Sequence, residues 1–286
     1  MEREETQFVT ESIIVGFDGS DASLVALDWV ADRACRGTTR VEIVMIGGSI
    51  LSDPRRPDTT IRDAERRLRN RAPNAEIASR HFPGRLPDSL IEHASAADLL
   101  VIGSHLRRSI RSALTGRLPV KICVASPIPV VVVPDQWTAT DGPVVIGLDD
   151  DDSSAAALRF GASEAATAQG ALVVVHAWEM PAPRMDGAVA LLASPIQERA
   201  VHRGILREGV RAVSRAHPDV RFDEVLVHAS AVAALLDNAR DASLLVIGTH
   251  HRSLLAGALL GSVGQGALAG ATTPVCIVPN GRRRLL

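Results

Sequence analysis

The sequence predicts an α/β fold: two tandem domains, each a five-stranded parallel sheet with helices on both faces. Three observations predict it. First, Leu99-Leu-Val-Ile-Gly103-Ser-His105 recurs as Leu244-Leu-Val-Ile-Gly248-Thr-His250. The match then runs without a gap through Gly116 and Gly261 to Pro129-Val-Val-Val-Val-Pro134 and Pro274-Val-Cys-Ile-Val-Pro279. Repetition near half the chain length means two copies of one domain, not a solenoid of short units. Second, short apolar runs alternate with helical periodicity, the pattern of parallel β-α-β units. Third, the runs are near-continuous Val, Ile and Leu, as strands covered on both faces require.

The elements of the first copy follow in order. Ser12-Ile-Ile-Val-Gly16-Phe-Asp18 is an apolar run stopped by Gly and Asp, a buried strand. Asp18-Gly-Ser-Asp21 supplies turn and N-cap chemistry, and Ala22 to Ala34 carries apolar positions at helical spacing. Val41–Ile46 is the second strand, Thr59–Asn70 a charged helix, and Ala75–His81 a weaker strand. Leu86–Ala94 is a short helix and Asp98–Gly103 the fourth strand. Residues 104–116 form a loop and early helix that continues to about Val124, and Pro129–Val133 is the last strand.

The second copy repeats this: Gly16, Asp18, Ser23 and Leu27 match Gly147, Asp149, Ser154 and Leu158. The offset is larger toward the end, so the second copy has gained residues. The expected place is Trp178–Pro195, rich in Pro, Ala and Gly, read as a longer loop or a flap over a site. With Asp135–Pro143 as a polar linker, the domains are residues 1–138 and 139–286.

Composition narrows the function classes. The 286 residues are 46% hydrophobic and 22% charged, ordinary for a globular protein. A formal charge of −2 provides no broad basic field, so nucleic acid is not an expected partner. There is no Tyr, which disfavours base-stacking platforms. No apolar run approaches the ~20 residues that cross a bilayer, and the acidic start lacks the form of a secretory signal. Cys35, Cys123 and Cys276 are scattered and read as small buried hydrophobes in a reducing compartment. The expected location is the cytoplasm, with no membrane partner.

Ligands of open α/β sheets sit beyond the carboxyl ends of strands. That singles out Asp18 and Asp149 after the first strand of each copy, and Gly103 and Gly248 after the fourth. In the second copy Gly248-Thr-His-His251 is followed, nine residues on, by Gly261-Ser262-Val263-Gly264, where backbone N–H groups at a helix start suit an anion. Plainer readings stand beside these: left-handed turn glycines, N-caps at Asp18, Asp149 and Ser262, and caps at Ser20, Ser153 and Ser154. His105, His250 and His251 form no recognisable zinc pattern and read as solvated loop residues. The cluster Arg66-Arg-Leu-Arg-Asn-Arg71 behind Asp63 and Glu65 reads as a solvated helix face. Neither a G-x-S-x-G elbow nor a G-x-x-x-x-G-K-[ST] loop occurs.

In this combination of motifs the chain resembles a tandem universal stress protein over nearly its whole length. The resemblance implies Rossmann-like domains of the adenine nucleotide alpha hydrolase type. Its nucleotide-binding pattern, G-x2-G-x9-G-(S/T) with an Asp closing the first strand, matches the second copy at Asp149, Gly248, Gly261 and Ser262, with Val263 also in the family style. That copy departs at His251, where the second glycine should stand, and at Gly264, often a hydroxyl residue. The first copy matches at Asp18, Gly103 and Gly116 and departs at Leu106 and Arg117, with Pro119 removing a donor. Asp150 and Asp151 add charge that would repel a triphosphate unless a divalent cation bridges them.

The resemblance implies a non-catalytic stress-response regulator that binds an adenine nucleotide, ATP with Mg²⁺, chiefly in the second domain. It also implies that the two final strands pair across a pseudo-twofold axis, and homo-oligomers follow from that. Two alternatives stay open: an interaction protein that kept the fold and lost the ligand, and an ATP-cleaving enzyme.

Overall fold

Each strand run carries too much apolar surface for one covered face, and both faces of each sheet are covered. The computed structural model describes residues 10–47, 56–105, 117–181, 184–186, 189–191, 194–249 and 260–280. The chain divides into unit 1, Met1–Ala139, and unit 2, Thr140–Leu286.

Unit 1 runs β1 (Glu11–Gly16), α1 (Asp21–Ala34), β2 (Thr39–Ile46), α2 (Arg56–Arg71), β3 (Glu76–Phe82), α3 (Asp88–Ala94), β4 (Leu99–Ser104), α4 (Arg117–Ala125) and β5 (Val130–Pro134). Its strands lie in the order β5-β4-β1-β2-β3, all parallel. The chain steps outward from β1 to β3, then returns to the other side of β1 for β4. The crevice at the ends of β1 and β4 is therefore a topological switch point, where Gly16 pairs with Ile102.

Unit 2 repeats the design with β6 (Val144–Gly147), α5 (Asp152–Thr167), β7 (Ala171–Trp178), β8 (Arg184–Asp186), β9 (Val189–Leu191), α6 (Pro195–Ser214), β10 (Arg221–His228), α7 (Ala231–Asn238), β11 (Leu244–Thr249), α8 (Ser262–Gly270) and β12 (Val275–Pro279). The order β12-β11-β6-β7-β10 is the same, again parallel throughout. Helices α5 and α6 pack together, as do α7 and α8. The insertion holds more than the expected loop: β8 and β9 pair antiparallel, from Arg184 opposite Leu191 to Asp186 opposite Val189. Strands of three residues in a Pro/Ala/Gly-rich stretch lack the alternation that would reveal them in sequence.

Side chains such as Ile13, Leu27, Ile43, Leu99 and Leu100 in unit 1, and Ile146, Leu172, Leu206 and Leu245 in unit 2, are fully buried. Each contributes roughly 1.5–3 kcal/mol by leaving water. Cys123 and Cys276 join these cores, and burial pushes the Cys123 thiol up to about 12. Cys35 corrects the sequence reading: it is exposed at the end of α1, where its thiol lies 3.3 Å from the Arg71 carbonyl.

The arginine cluster on α2 also differs from its reading as a solvated face. Arg66–Asp63 and Arg69–Glu65 are local pairs along the helix. Arg67, however, donates through Nε (2.8 Å) and Nη2 (2.7 Å) to the two carboxylate oxygens of Asp28, and Arg71 reaches Asp28 and Asp32. These bonds clamp α2 to α1, a contact between elements that sequence spacing does not encode.

Candidate functional site

The two switch points each open into a cavity. That of unit 2, about 260 Å³, is lined by Asp149, Gly248, Gly261, Ser262 and Val263 together. That of unit 1, about 200 Å³, is lined by Asp18 and Gly103. Gly116 lies outside the described residues, as do Leu106, His250 and His251.

The aspartates are not the helix caps. Ser20 caps α1 by accepting from the Ser23 N–H, and Asp151 caps α5. Asp18 and Asp149 sit two residues earlier, where the strands end. Asp18 Oδ1 accepts from the Ser20 N–H at 2.9 Å. Burial pushes its carboxyl up, but hydrogen bonds from Ser20 and Ser23 outweigh that and hold it below the usual carboxylate range. The turn passes through Gly19 at φ +81°, a left-handed conformation that favours glycine. Unit 2 has Asp150 there, and its turn closes differently: the Ser154 hydroxyl accepts from the Asp149 N–H at 2.8 Å, and Asp149 Oδ1 accepts from the Asp150 N–H at 2.8 Å.

Asp151 lines the cavity and is engaged by the helix start it caps. Asp151 Oδ1 accepts from Ser153 N (2.8 Å), Ser154 N (3.0 Å) and the Ser153 hydroxyl (2.6 Å), so the helix start balances its charge. Asp150 does not line the cavity.

Gly103 and Gly248 also depart from the turn reading. Neither has a positive φ among the described glycines. Each lies in a strand pressed against the first turn of a helix, where a Cβ on Gly103 would collide with the Ala22 carbonyl and one on Gly248 with the Ser153 carbonyl. Gly261 is different: among the described residues a Cβ there meets nothing within 4 Å. It is the residue before α8 (φ −56°, ψ 161°) and provides no side-chain cap.

Ser262 is therefore the first helical residue, not a cap. The first intrahelical bond at this end runs from the Gln265 N–H to the Gly261 carbonyl at 3.0 Å. The N–H groups of Ser262, Val263 and Gly264 precede it and have no partner within the helix. With the positive end of the helix dipole behind them, they can hold an anion. Gly264 has its own reason: the Leu260 side chain would stand 2.8 Å from a Cβ there, so a hydroxyl residue would have to displace it.

In unit 1 the equivalent turn places Leu118 and Pro119 against the cavity. Proline has no N–H, so a donor is lost as an apolar wall is gained. Phe17, Leu90, Ile102 and Ile122 continue that wall. His105, weighed above as a loop residue, lines this cavity and its Nδ1 lies 3.0 Å from Asp135 Oδ2. Among the described residues no group of three His, Cys, Asp or Glu side chains is placed to hold a metal ion.

Sequence reasoning missed the walls from α7 (Ala231, Leu235) and an imidazole pair behind the unit 2 site. His176 Nδ1 lies 2.8 Å from the Leu148 carbonyl, and its Nε2 lies 2.8 Å from His202 Nδ1. A lone histidine inside the apolar run Val173-Val-Val-His-Ala-Trp178 was the available signal. Its partner lies 26 positions away and had none.

The sequence model described as the universal stress protein family matches residues 10–134 and again 142–279. A universal stress protein of Mycolicibacterium smegmatis is 27% identical over 295 residues, 95% of this chain and 98% of the relative. Universal stress protein Rv2005c of Mycobacterium tuberculosis is 27% identical over 291 residues, 93% and 96% of the two chains. Among solved structures, a universal stress protein from Archaeoglobus fulgidus covers 94% of this chain and 96% of its own, with a TM-score of 0.69 at 14% identity, a likeness of fold. No helix among the described residues is long and apolar enough to cross a membrane.

Proposed function

The chain belongs to the universal stress protein family, and from that premise we propose that it is a cytoplasmic stress-response regulator that binds ATP in the unit 2 cavity without turning it over. One observation carries the reading: Asp149, Gly248, Gly261, Ser262 and Val263 line one cavity. Among the described residues nothing stands within 4 Å of a Cβ built on Gly261, the residue before α8. The polyphosphate lies on Ser262, Val263 and Gly264, and the Asp149 carboxylate accepts from hydroxyl or amino groups of the nucleoside. A Mg²⁺ accompanying the phosphates would be held by them together with the Asp149 carboxylate, and would offset their charge. Nucleotide then shifts conformation or partner affinity.

Unit 1 is the second, weaker site, through Asp18 and Gly103, because Pro119 takes one donor away. The units correspond to functional domains 1–138 and 139–286. Their last strands β5 and β12, apolar strands at the edge of each sheet, pair with one another and cover edges that invite aggregation, and two chains associate further.

Equilibrium dialysis with labelled ATP, with and without Mg²⁺, tests the binding. Saturation near one site per chain, lost in Gly261→Asp, is expected; no binding at millimolar nucleotide overturns it. Release of phosphate from ATP, abolished by Ser262→Ala, would overturn the non-catalytic part. A second reading, a nucleotide-free interaction protein, draws on Leu118 and Pro119 in unit 1 and on Leu260 folded over Gly264. Sizing each unit separately tests strand pairing: a well-behaved monomeric half counts against it.

A further inference from the structure

Four rings form a column at the carboxyl end of β7, on the side of the sheet away from the cavity. Cavity residues Val175 and Ala177 alternate along the strand with His176 and Trp178. His176 is 2% exposed. His202, on α6, lies over it with ring centroids 5.0 Å apart and stacks on Trp178 at 5.2 Å. His228, at the end of β10, stacks on Trp178 at 4.4 Å.

Hydrogen-bond chemistry leaves the neutral pair one arrangement. The Leu148 carbonyl can only accept, so His176 carries its proton on Nδ1. Neutral His176 then offers a lone pair at Nε2, and His202 Nδ1–H must donate to it. One added proton can go to His202 Nε2 and leave the chain intact. A second has only His176 Nε2, where it would set N–H against N–H and break the bond.

What the bond holds is specific. The buried residues of α6 are Leu206, Val210 and Val213, all in its second half. From Pro195 to Ile205 no residue is buried. Apart from half-buried Ile205 at its end, this stretch has no apolar anchor of its own and rests on the sheet where His202 bonds His176 and covers Trp178.

We propose that the His176–His202 pair is an acid-operated latch, which docks the first half of α6 at neutral pH and releases it as the pair takes up protons. The titratable groups facing His202 are His176 from β7, Asp149 from the loop after β6, Glu198 one turn earlier on α6 and, across Trp178, His228 from β10. Burial, then His176, holds His202 below its ordinary value, and Glu198 and Asp149 draw it partly back up. A depressed imidazole means the docked form binds fewer protons than the released form. Docking is therefore complete above the ordinary histidine value of about 6.5 and lost as pH falls through it toward the folded value, by up to tenfold per pH unit for each extra proton. Release uncovers Trp178. The latch is independent of the nucleotide reading.

Hydrogen exchange of the full chain at about pH 7.5 and about pH 5.5, corrected for intrinsic amide chemistry, tests it. The amides of residues 198–205 should lose at least tenfold protection in acid while 206–214 keep theirs. His202→Asn should abolish the difference, because the Asn amide does not titrate and can turn either its N–H or its oxygen to His176 Nε2, so the bond survives a proton there. Equal acid opening in wild type and variant, or no opening in the wild type, overturns the proposal. Should the variant fold poorly, histidine ¹⁵N spectra of the wild type decide: His176 in the Nδ1–H form at neutral pH supports the latch, and the Nε2–H form overturns it. No arm uses nucleotide, so absence of ATP binding would be a separate result.

Discussion

Gly248 has no room for a side chain because the Ser153 carbonyl stands where its Cβ would be, and Gly103 meets Ala22 in the same way. The two contacts are equivalent in the two units. The glycine that a nucleotide motif would claim is thus fixed first by the packing of a strand on the first turn of a helix.

Gly248 and Gly261 should therefore fail differently. Gly248→Ala forces backbone apart and should cost ~1–3 kcal/mol of stability. Gly261→Ala enters open space and should change stability by about 1 kcal/mol or less. ATP affinity should fall in the second variant while its urea midpoint stays close to wild type. Urea unfolding and dialysis on both variants check this.

Asp151 accepts three hydrogen bonds at the start of α5. Asp151→Ala should destabilise unit 2 by ~0.5–2 kcal/mol, and Asp151→Asn by much less, because the amide oxygen can still cap. Thermal unfolding of the three proteins reads the difference.

The clamp between α1 and α2 should show in acid. Burial raises the Asp28 carboxyl, but the hydrogen bonds and charge of Arg67, with Arg71, outweigh it and hold it below its ordinary value. A depressed carboxyl adds stability above its unfolded value near 4, and that stability disappears as pH falls through the folded value. Arg67 is 47% exposed, so solvent screening limits the pair to about 1 kcal/mol. The gap between wild type and Asp28→Asn should be present at about pH 6 and close in stronger acid; a gap independent of pH would refute the assignment.

Pro119 should be the removable obstacle in unit 1. Pro119→Ala returns an N–H to the third position of α4. A hydrogen bond to a charged group contributes roughly 1.5–3 kcal/mol, so ATP affinity of unit 1 should rise about tenfold or more. The titration is made in a Gly261→Asp background, so that unit 2 does not mask it.

Thiol labelling checks the cysteines. Cys35 should react in the native chain, while Cys123 and Cys276 stay silent until the protein unfolds. Burial keeps the Cys123 thiol protonated, at about 12.

Much of the fold was legible because its signals are local. The run Ser12–Gly16, the turn at Asp18-Gly19-Ser20 and the helical spacing to Ala34 lie within one stretch of chain, and the structure has β1, the Ser20 cap and α1 there. The antiparallel β8–β9 pair was not legible, because three-residue strands carry no period. The lining of the unit 2 cavity was legible only as far as the repeat displayed it: Asp149, Gly248 and Gly261 stand out by recurring with Asp18, Gly103 and Gly116. Roles within the site were not. Asp151 rather than Asp149 caps α5, and Leu260 rather than chance explains Gly264.

By itself the sequence determined the duplicated α/β units and the order of their elements, since strand and helix periods and turn residues act between near neighbours in the chain. Tertiary structure alone decided what Gly248 is for, which arginines leave their own helix, and that His176 finds His202. Those outcomes depend on distances between segments tens of residues apart, which spacing along a chain does not contain.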